Sequence, residues 1–227
     1  MISVIIPTLW KSDSVEKLLI GVSSSPMVGE IILINNDSAN TPNFVSSLPK
    51  VKILDFGKNI YVNPAWNAGV AESKYNKICL LSDDTLFDYD VFNLVYSKIS
   101  PSIGTIGPHG LGIINEEVAS PFMVMVKSYK FWHGYGTLMF MHKSNYLPIP
   151  EELLINFGDR WQYDYNAYQK RQNYFVSQFF VKTKMGTTSS LFKEITDNEE
   201  LIHRQVYEKL RNYINPGNFK SEPTVLI

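Results

Sequence analysis

CLLSDDTLFD, residues 79–88, decides how this chain reads. An apolar run over Lys77–Leu81 passes straight into Ser82, Asp83, Asp84 and Thr85. Residues 77–81 have the length and continuity of a strand buried on both faces. Such strands belong to mainly parallel sheets, whose ligands bind beyond the carboxyl ends of the strands. Two carboxylates at that point suit a hard divalent cation such as Mg2+ or Mn2+. A Mg2+ site of this kind usually combines one or two carboxylates with substrate phosphates. The same pair would also serve as a solvated cap for a helix over 88–99, and the pair by itself leaves both readings open.

Working outward, the first half alternates strand and helix. Ser3–Ile6 is a short β-branched run stopped by Pro7, and Glu30–Ile34 and Val51–Asp55 are further apolar strands. Residues 13–24 read as a helix capped by Asp13 or Ser12. Residues 63–73 read as another, with Asn63 as cap and Pro64 at its first position. Ile103–Ile106 is a fifth strand, ended by Gly107 and Pro108. This order predicts an α/β fold with helices on both faces of the sheet. The positions just after the strands are then the ones to inspect: Pro7–Thr8, Asn35–Ser38, Gly57–Asn59 and Ser82–Thr85. No Walker glycine loop and no G-x-G-x-x-G follows the first strand, which excludes a P-loop enzyme and an ordinary dinucleotide binder.

Composition bounds the rest. The 227 residues, 44% of them hydrophobic, suffice for one large domain. A net charge of −1 gives no global attraction to nucleic acid or anionic lipid. The single Cys79 excludes an intramolecular disulfide and a cysteine metal cage. No apolar run approaches the ~18–20 residues of a membrane span. The opening MISVIIPTLW lacks a basic leader and reads as a first strand, so a cytoplasmic location is expected.

The second half is aromatic and less regular, as in YKFWHGYGTLMFMHK (129–143) and FGDRWQYDYNAYQKRQNYF (157–175). Aromatic rings among amides and charges suit a surface that grips a polar, ring-shaped ligand, and equally a core under long loops. Residues 198–213 read as a helix, and 216–227 as a loose tail.

Taken in order, these segments resemble the GT-A glycosyltransferases, in particular the inverting family 2. SVIIPTLW (3–10) is similar to the family's first strand and its turn under the nucleotide base. EIILINNDS (30–38) resembles a segment that usually reads VDDGS, with Asn35 and Asn36 in place of the acids and Asp37 one position later. GKNIYVNPAWNAGVAES (57–73) resembles NxGfaxAxNxGixxA. ICLLSDDT (78–85) resembles the strand bearing the D-x-D metal motif, with Ser82 in place of the first acid. YGTLMFMHKSNY (135–146) is similar to the acceptor-side strand. INFGDRWQYDYNAYQKRQNYFV (155–176) resembles the segment that carries the catalytic base.

The resemblance implies a single GT-A domain: a nucleotide-sugar half over 1–108, an acceptor half over 109–215 and a tail. It implies Asp84 as ligand of Mn2+ or Mg2+, and Asp83 as a second ligand or a ribose contact. Asp159 becomes the base, with Asp164, in the same aromatic segment, as the runner-up for that role. Pro7, Thr8, Asn36, Asp37, Lys58, Asn59 and Asn67 fall on the donor side; Trp132, His133, Trp161 and Asp164 fall on the acceptor side. The donor would be a nucleoside-diphosphate sugar. The acceptor would be a hydroxyl of a glycan or of a modified base in DNA, for which KSYK (127–130) and QKRQ (169–172) could hold phosphates. A histidine that some members use as a further ligand is absent from VKTKMGTTSS (181–190), where Lys182 and Lys184 could meet the diphosphate instead.

Each residue also has a plainer reading. Asn36 and Asp37 could form an Asx turn. His133 could make a structural hydrogen bond, His203 could be an ordinary surface residue, and Trp132 and Trp161 could pack in the core. Two other functions remain. A nucleotidyltransferase would want a glycine-rich basic loop after the first strand, and PTLWKSDS (7–14) has no glycine and one lysine. A non-catalytic carbohydrate-binding relative would be expected to lose the acids, yet Asp83, Asp84 and Asp159 are present.

Overall fold

The computed structural model describes residues 1–109, 121–126, 134–178, 180–184 and 187–212. In chain order its elements are β1 (Ile2–Thr8), α1 (Val15–Ser24), β2 (Val28–Asn35), β3 (Val51–Asp55), α2 (Val62–Glu72), β4 (Lys77–Leu81) and β5 (Leu86–Phe87). There follow α3 (Val91–Tyr96), β6 (Ile103–Pro108), β7 (Phe122–Val126), β8 (Leu138–His142) and α4 (Gly158–Tyr168). The last are β9 (Gln172–Ser177), β10 (Val181–Lys182), α5 (Thr187–Leu191) and α6 (Lys193–Asn212).

Eight strands form one sheet in the order β3-β2-β1-β4-β8-β6-β9-β7, and β5 pairs with β10 beside it. β1, β2, β3 and β4 are parallel; β8 runs against β4 and β6, and β7 runs against β9. This is the expected α/β architecture, and the carboxyl ends of the parallel β1–β4 lie along one edge of the sheet.

The period of two along each strand explains why both faces are covered. Ile2, Val4 and Ile6 of β1, Ile31 and Leu33 of β2, and Cys79 and Leu81 of β4 share one core with α1 and α3. The intervening Ile5, Ile32, Ile34, Ile78 and Leu80 share the opposite core with α2, α4 and α6. β1, β2 and β4 therefore read as largely apolar runs with no solvent-facing polar side.

Three local expectations need correction. Pro7 does not stop β1, which continues to Thr8. Its pairing with β4 ends at Ile5–Leu80, so Pro7 lies where the strand has one neighbour, β2, and tolerates a missing donor. Asn63 does not cap α2: the cap position is Tyr61, at φ 64°, and the Asn63 amide donates to Leu153 O and Asn156 O. α1 starts after Ser14, whose N–H is held by Ser12 Oγ at 3.2 Å, and no side chain caps the helix itself.

The second half of the chain is fastened by buried amides. Gln162 of α4 brackets Leu147 through that residue's N–H and carbonyl. Asn166 donates to Asn145 O, and Asn145 donates to Ile103 O. Asn173 Oδ1 accepts from Thr105 N at 2.7 Å, and its amide nitrogen reaches Tyr163 O. Each satisfies a backbone group that a long connection would otherwise bury unpaired.

Candidate functional site

The ends of the first four strands are braced by one chain of side chains. Thr8 Oγ1 donates to Asp83 Oδ2 at 2.7 Å and accepts from Trp10 N at 2.9 Å. The Trp10 indole N–H donates to Asn35 Oδ1 at 2.8 Å, and Asn35 Nδ2 donates to Asp55 Oδ2 at 3.0 Å. The strand-end alcohol, amide and acids thus hold each other at fixed spacing. Trp10 (φ 58°), Tyr61 (φ 64°) and Phe157 (φ 65°) border this face in the left-handed region. Each such residue costs of order 1–3 kcal/mol, and strain of this kind gathers at functional sites.

Asp83 and Asp84 stand at the centre. Burial pushes the Asp83 carboxyl up to about 6, and the Asp84 charge adds to the rise while the Thr8 hydroxyl opposes it. Burial also raises Asp84, against a hydrogen bond from Thr183 and the positive charge of Lys184. Two adjacent, partly buried acids thus lack sufficient positive charge around them. That deficit fits a divalent cation shared with substrate phosphates, which needs only one or two protein carboxylates. Among the described residues no group of three or more histidine, cysteine, aspartate or glutamate side chains could form a closed metal cage.

Thr183 reaches Asp84 through the small β5–β10 ladder, which pairs Val181 with Phe87 and Lys182 with Leu86 in antiparallel register. Lys184 Nζ lies 2.9 Å from Asp13 Oδ2, on the rim. Lys182 is exposed. The contact was not legible in sequence, because nothing local to Thr183 shows that its strand folds back on residues 86–87.

Asp159 occupies the first turn of α4, where the helix dipole favours a negative charge. A β-carbon added at Gly136 would lie 3.4 Å from Asp159 Oδ2, so the carboxylate rests over that glycine. The next residue, Thr137, accepts a hydrogen bond from Ser82 N at 3.0 Å. The Gly136–Thr137 turn therefore separates the Ser82–Asp84 segment from Asp159 and touches both. Asp164 follows on α4, with its Oδ2 3.3 Å from Arg160 Nε. Burial raises its carboxyl to about 6, with Arg160 opposing and Asp159 adding to the rise.

The remaining residues singled out in the sequence divide sharply. Asn36 Oδ1 accepts from Ile60 N at 3.0 Å and its Nδ2 reaches Tyr61 O at 3.4 Å, so its amide holds the backbone leading into α2. Asn59 Oδ1 accepts from Tyr61 N at 2.8 Å, as an Asx turn. Asn67 is enclosed: Oδ1 accepts from Tyr146 Oη and Ile149 N, and Nδ2 donates to Ile149 O. Asp37 accepts from Asn40 Nδ2 at 2.8 Å and faces Lys11 Nζ at 3.8 Å. Lys58 is exposed beside the strand ends, and Pro7 is buried in β1.

Trp161 corrects its acceptor-side placement. It is fully buried, edge-on to Tyr207 with centroids 5.6 Å apart, and belongs to the core rather than the cleft. His203 is neither free nor solvent-facing throughout: its ring stacks on Phe157 at 4.6 Å. Trp132, His133 and KSYK (127–130), with the 216–227 tail, lie outside the described residues. No described helix is long and apolar enough to cross a membrane.

A family model described as Glycosyl transferase family 2 matches residues 3–112, the stretch that holds Thr8, Asp83 and Asp84 and stops short of Asp159. Among solved structures, S. aureus TarS 1–349 aligns with a TM-score of 0.59 at 12% identity, over 86% of this chain and 62% of that one. The same TarS fragment in complex with UDP aligns with a TM-score of 0.53 at 12% identity, over 77% of this chain and 59% of that one. This chain thus spans about three fifths of the length of the structures it resembles, and at such identity the likeness speaks for the fold. No curated protein matches the chain in sequence. The family match over the strand-end residues and the shared architecture give this chain the GT-A fold, with a first half that is similar to glycosyltransferase family 2.

Proposed function

We propose that the chain transfers a sugar from a nucleoside diphosphate to an acceptor hydroxyl in a single inverting displacement. The observation that carries this reading is the pairing of two charge-deficient acids, Asp83 and Asp84, with Asp159 across the Gly136–Thr137 turn. The first pair stands at the end of the sheet where the family match lies, and the single acid stands in the first turn of α4, over Gly136. The UDP held by the TarS structure makes uridine diphosphate the donor nucleotide to try first.

In this reading Asp84, with Asp83 beside it, would hold Mn2+ or Mg2+, which supplies charge neutralisation to the departing diphosphate. Thr8 keeps Asp83 oriented through its 2.7 Å hydrogen bond. Lys184 can exchange its exposed partner Asp13 for a phosphate oxygen, because such a surface pair is worth little. Asp159 accepts the proton of the acceptor hydroxyl as that oxygen bonds to the anomeric carbon. The bond from that carbon to the diphosphate oxygen breaks on the opposite face, and the nucleoside diphosphate leaves with its electron pair. The acceptor belongs to the glycan class, with a hydroxyl on a modified DNA base as the other class to assay.

The test is thermal unfolding with UDP, GDP, dTDP and CDP, each with and without Mn2+. A nucleotide at 100 times its dissociation constant adds about 2.7 kcal/mol, which raises the melting temperature by roughly 5–10 °C in a chain of this size. One nucleotide should give this shift, Mn2+ should enlarge it, and Asp84→Asn should remove the enlargement. Asp159→Asn should keep the nucleotide shift and lose transfer by about 100-fold or more. A chain that responds to none of the four nucleotides is not this enzyme.

A further inference from the structure

Glu199 is an acid buried to 1% exposure on α6, outside the cleft. Its carboxylate takes three successive backbone N–H groups: Oε1 accepts from Leu154 and from Ile155, the latter at 2.7 Å, and Oε2 accepts from Asn156 at 2.8 Å. Charge-assisted bonds of this kind are roughly twice as strong as neutral ones. One and two turns further along the same helix face, His203 and Tyr207 hold Phe157. The His203 ring stacks on the Phe157 ring at 9° between planes, and Tyr207 Oη donates to Phe157 O at 3.1 Å. Phe157 is the left-handed residue that launches α4, two positions before Asp159.

The opposite side of this loop is held by α2. Asn63 N donates to Leu154 O at 2.9 Å, and its side chain reaches Leu153 O and Asn156 O. A β-carbon at Gly158 would lie 2.1 Å from Asn63 Oδ1, so the first residue of α4 is pressed against α2 and only glycine fits there. Residues 153–158 therefore hang between two helices, gripped through their backbone, and α4 leaves this mount with Asp159 in its first turn. A general base must sit within a few tenths of an ångström of its productive place, and a misplacement of about 1 Å can cost 100-fold in rate.

We propose that Glu199 is a positioning residue for Asp159, acting through the 154–157 loop; its catalytic meaning rests on the reading of Asp159 as base. Gln at 199 keeps the shape but turns an N–H2 group toward backbone donors, so at least one of the three bonds is lost. The test uses the full chain labelled with 13C at aspartate carboxyls, with the Asp159 signal assigned as the one missing from Asp159→Asn. In Glu199→Gln the Asp159 resonance should move while that of Asp84 stays. Amide exchange at residues 154–156 should accelerate about tenfold or more, and exchange at Ile5 and Leu80 should not change. Tyr207→Phe, which removes one hydroxyl, should move the Asp159 resonance in the same direction and serves if Glu199→Gln does not fold. In transfer, either variant should lower kcat and leave donor KM unchanged. Loop amides that open while the Asp159 resonance stays put would reduce Glu199 to a structural residue and overturn the proposal. Loss of kcat and donor KM together would overturn it too. The base reading fails separately, by normal transfer in Asp159→Asn, a result that the resonance and exchange data do not depend on.

Discussion

Replacing Asp164 by asparagine should stabilise the protein increasingly as pH rises, although it removes one half of an ion pair. The sign follows from burial. Asp164 lies 3.3 Å from Arg160, yet desolvation outweighs that partner, and Asp159 nearby adds repulsion. The carboxyl consequently titrates at about 6 in the folded chain, against 3.8 for an ordinary aspartate. Below that ordinary value both states are protonated and the group is neutral to stability. Between the two values the folded state binds more protons than the unfolded one, so stability falls as pH rises, and above about 6 the cost is complete. The displacement corresponds to about 3 kcal/mol. The Asp164 side chain keeps 21% of its surface in solvent, which trims this to roughly 1–2 kcal/mol. Asparagine cannot ionise, and its loss of the Arg160 contact adds only a small offset. Urea unfolding followed by tryptophan fluorescence at pH 4, 5, 6 and 7 measures the difference between variant and parent. That difference should move toward the variant by about 1–2 kcal/mol from pH 4 to 7. A difference that is flat, or that moves toward the parent, would mean that Arg160 wins and that Asp164 is an ordinary ion-paired acid.

Two further outcomes separate packing from binding. Gly69→Ala on α2 should destabilise the fold by about 1–2 kcal/mol, since its methyl would fall 2.3 Å from Ile5 Cγ2, and overpacking exceeds the gain in helix propensity. Urea denaturation reads it, and adding Ile5→Ala should make the glycine substitution nearly neutral; a more stable Gly69→Ala would show that α2 rides higher on the sheet. Asn67→Ala should cost about 2–3 kcal/mol by stranding Tyr146 Oη and Ile149 N, while UDP affinity by calorimetry stays within twofold or so. Loss of UDP binding at unchanged stability would put Asn67 on the donor after all.

The centre of the sheet was legible because β1, β2 and β4 are buried on both faces, and burial on both faces writes itself as largely apolar text. Lys77–Leu81 comes out at the expected limits for that reason, whereas Val51–Asp55 is an edge strand with Lys52, Ile53 and Asp55 exposed and is marked by its β-branched and apolar residues alone. The acids at the strand tip were legible for the converse reason: polar residues abutting such a run must lie where the run leaves the core. What could not be read is anything set by pairing at long range. β8 enters between β4 and β6 from 57 residues beyond β4, antiparallel to both, and only that insertion brings Gly136 beneath Asp159. Thr183 meets Asp84 by the same kind of distant pairing.

The asparagines teach a different lesson. Asn36, Asn59 and Asn67 stand where a donor-binding residue is expected, yet each turns its amide onto backbone. An amide carries one donor and one acceptor group, the same pair a peptide group carries, so it can close a buried loop without help. A carboxylate cannot do this alone, because two acceptors need donors brought to them. That asymmetry sorts the cleft. Glu199 finds three backbone donors and becomes part of the frame. Asp83 finds the Thr8 hydroxyl and the Leu9 amide, too few to offset its burial and its neighbour's charge. Among the described acids, burial raises Asp83 and Asp84 at the strand tips and Asp164 on α4 beyond what their partners offset, and the strand-tip pair is where the proposed cation and phosphate have a physical reason to bind.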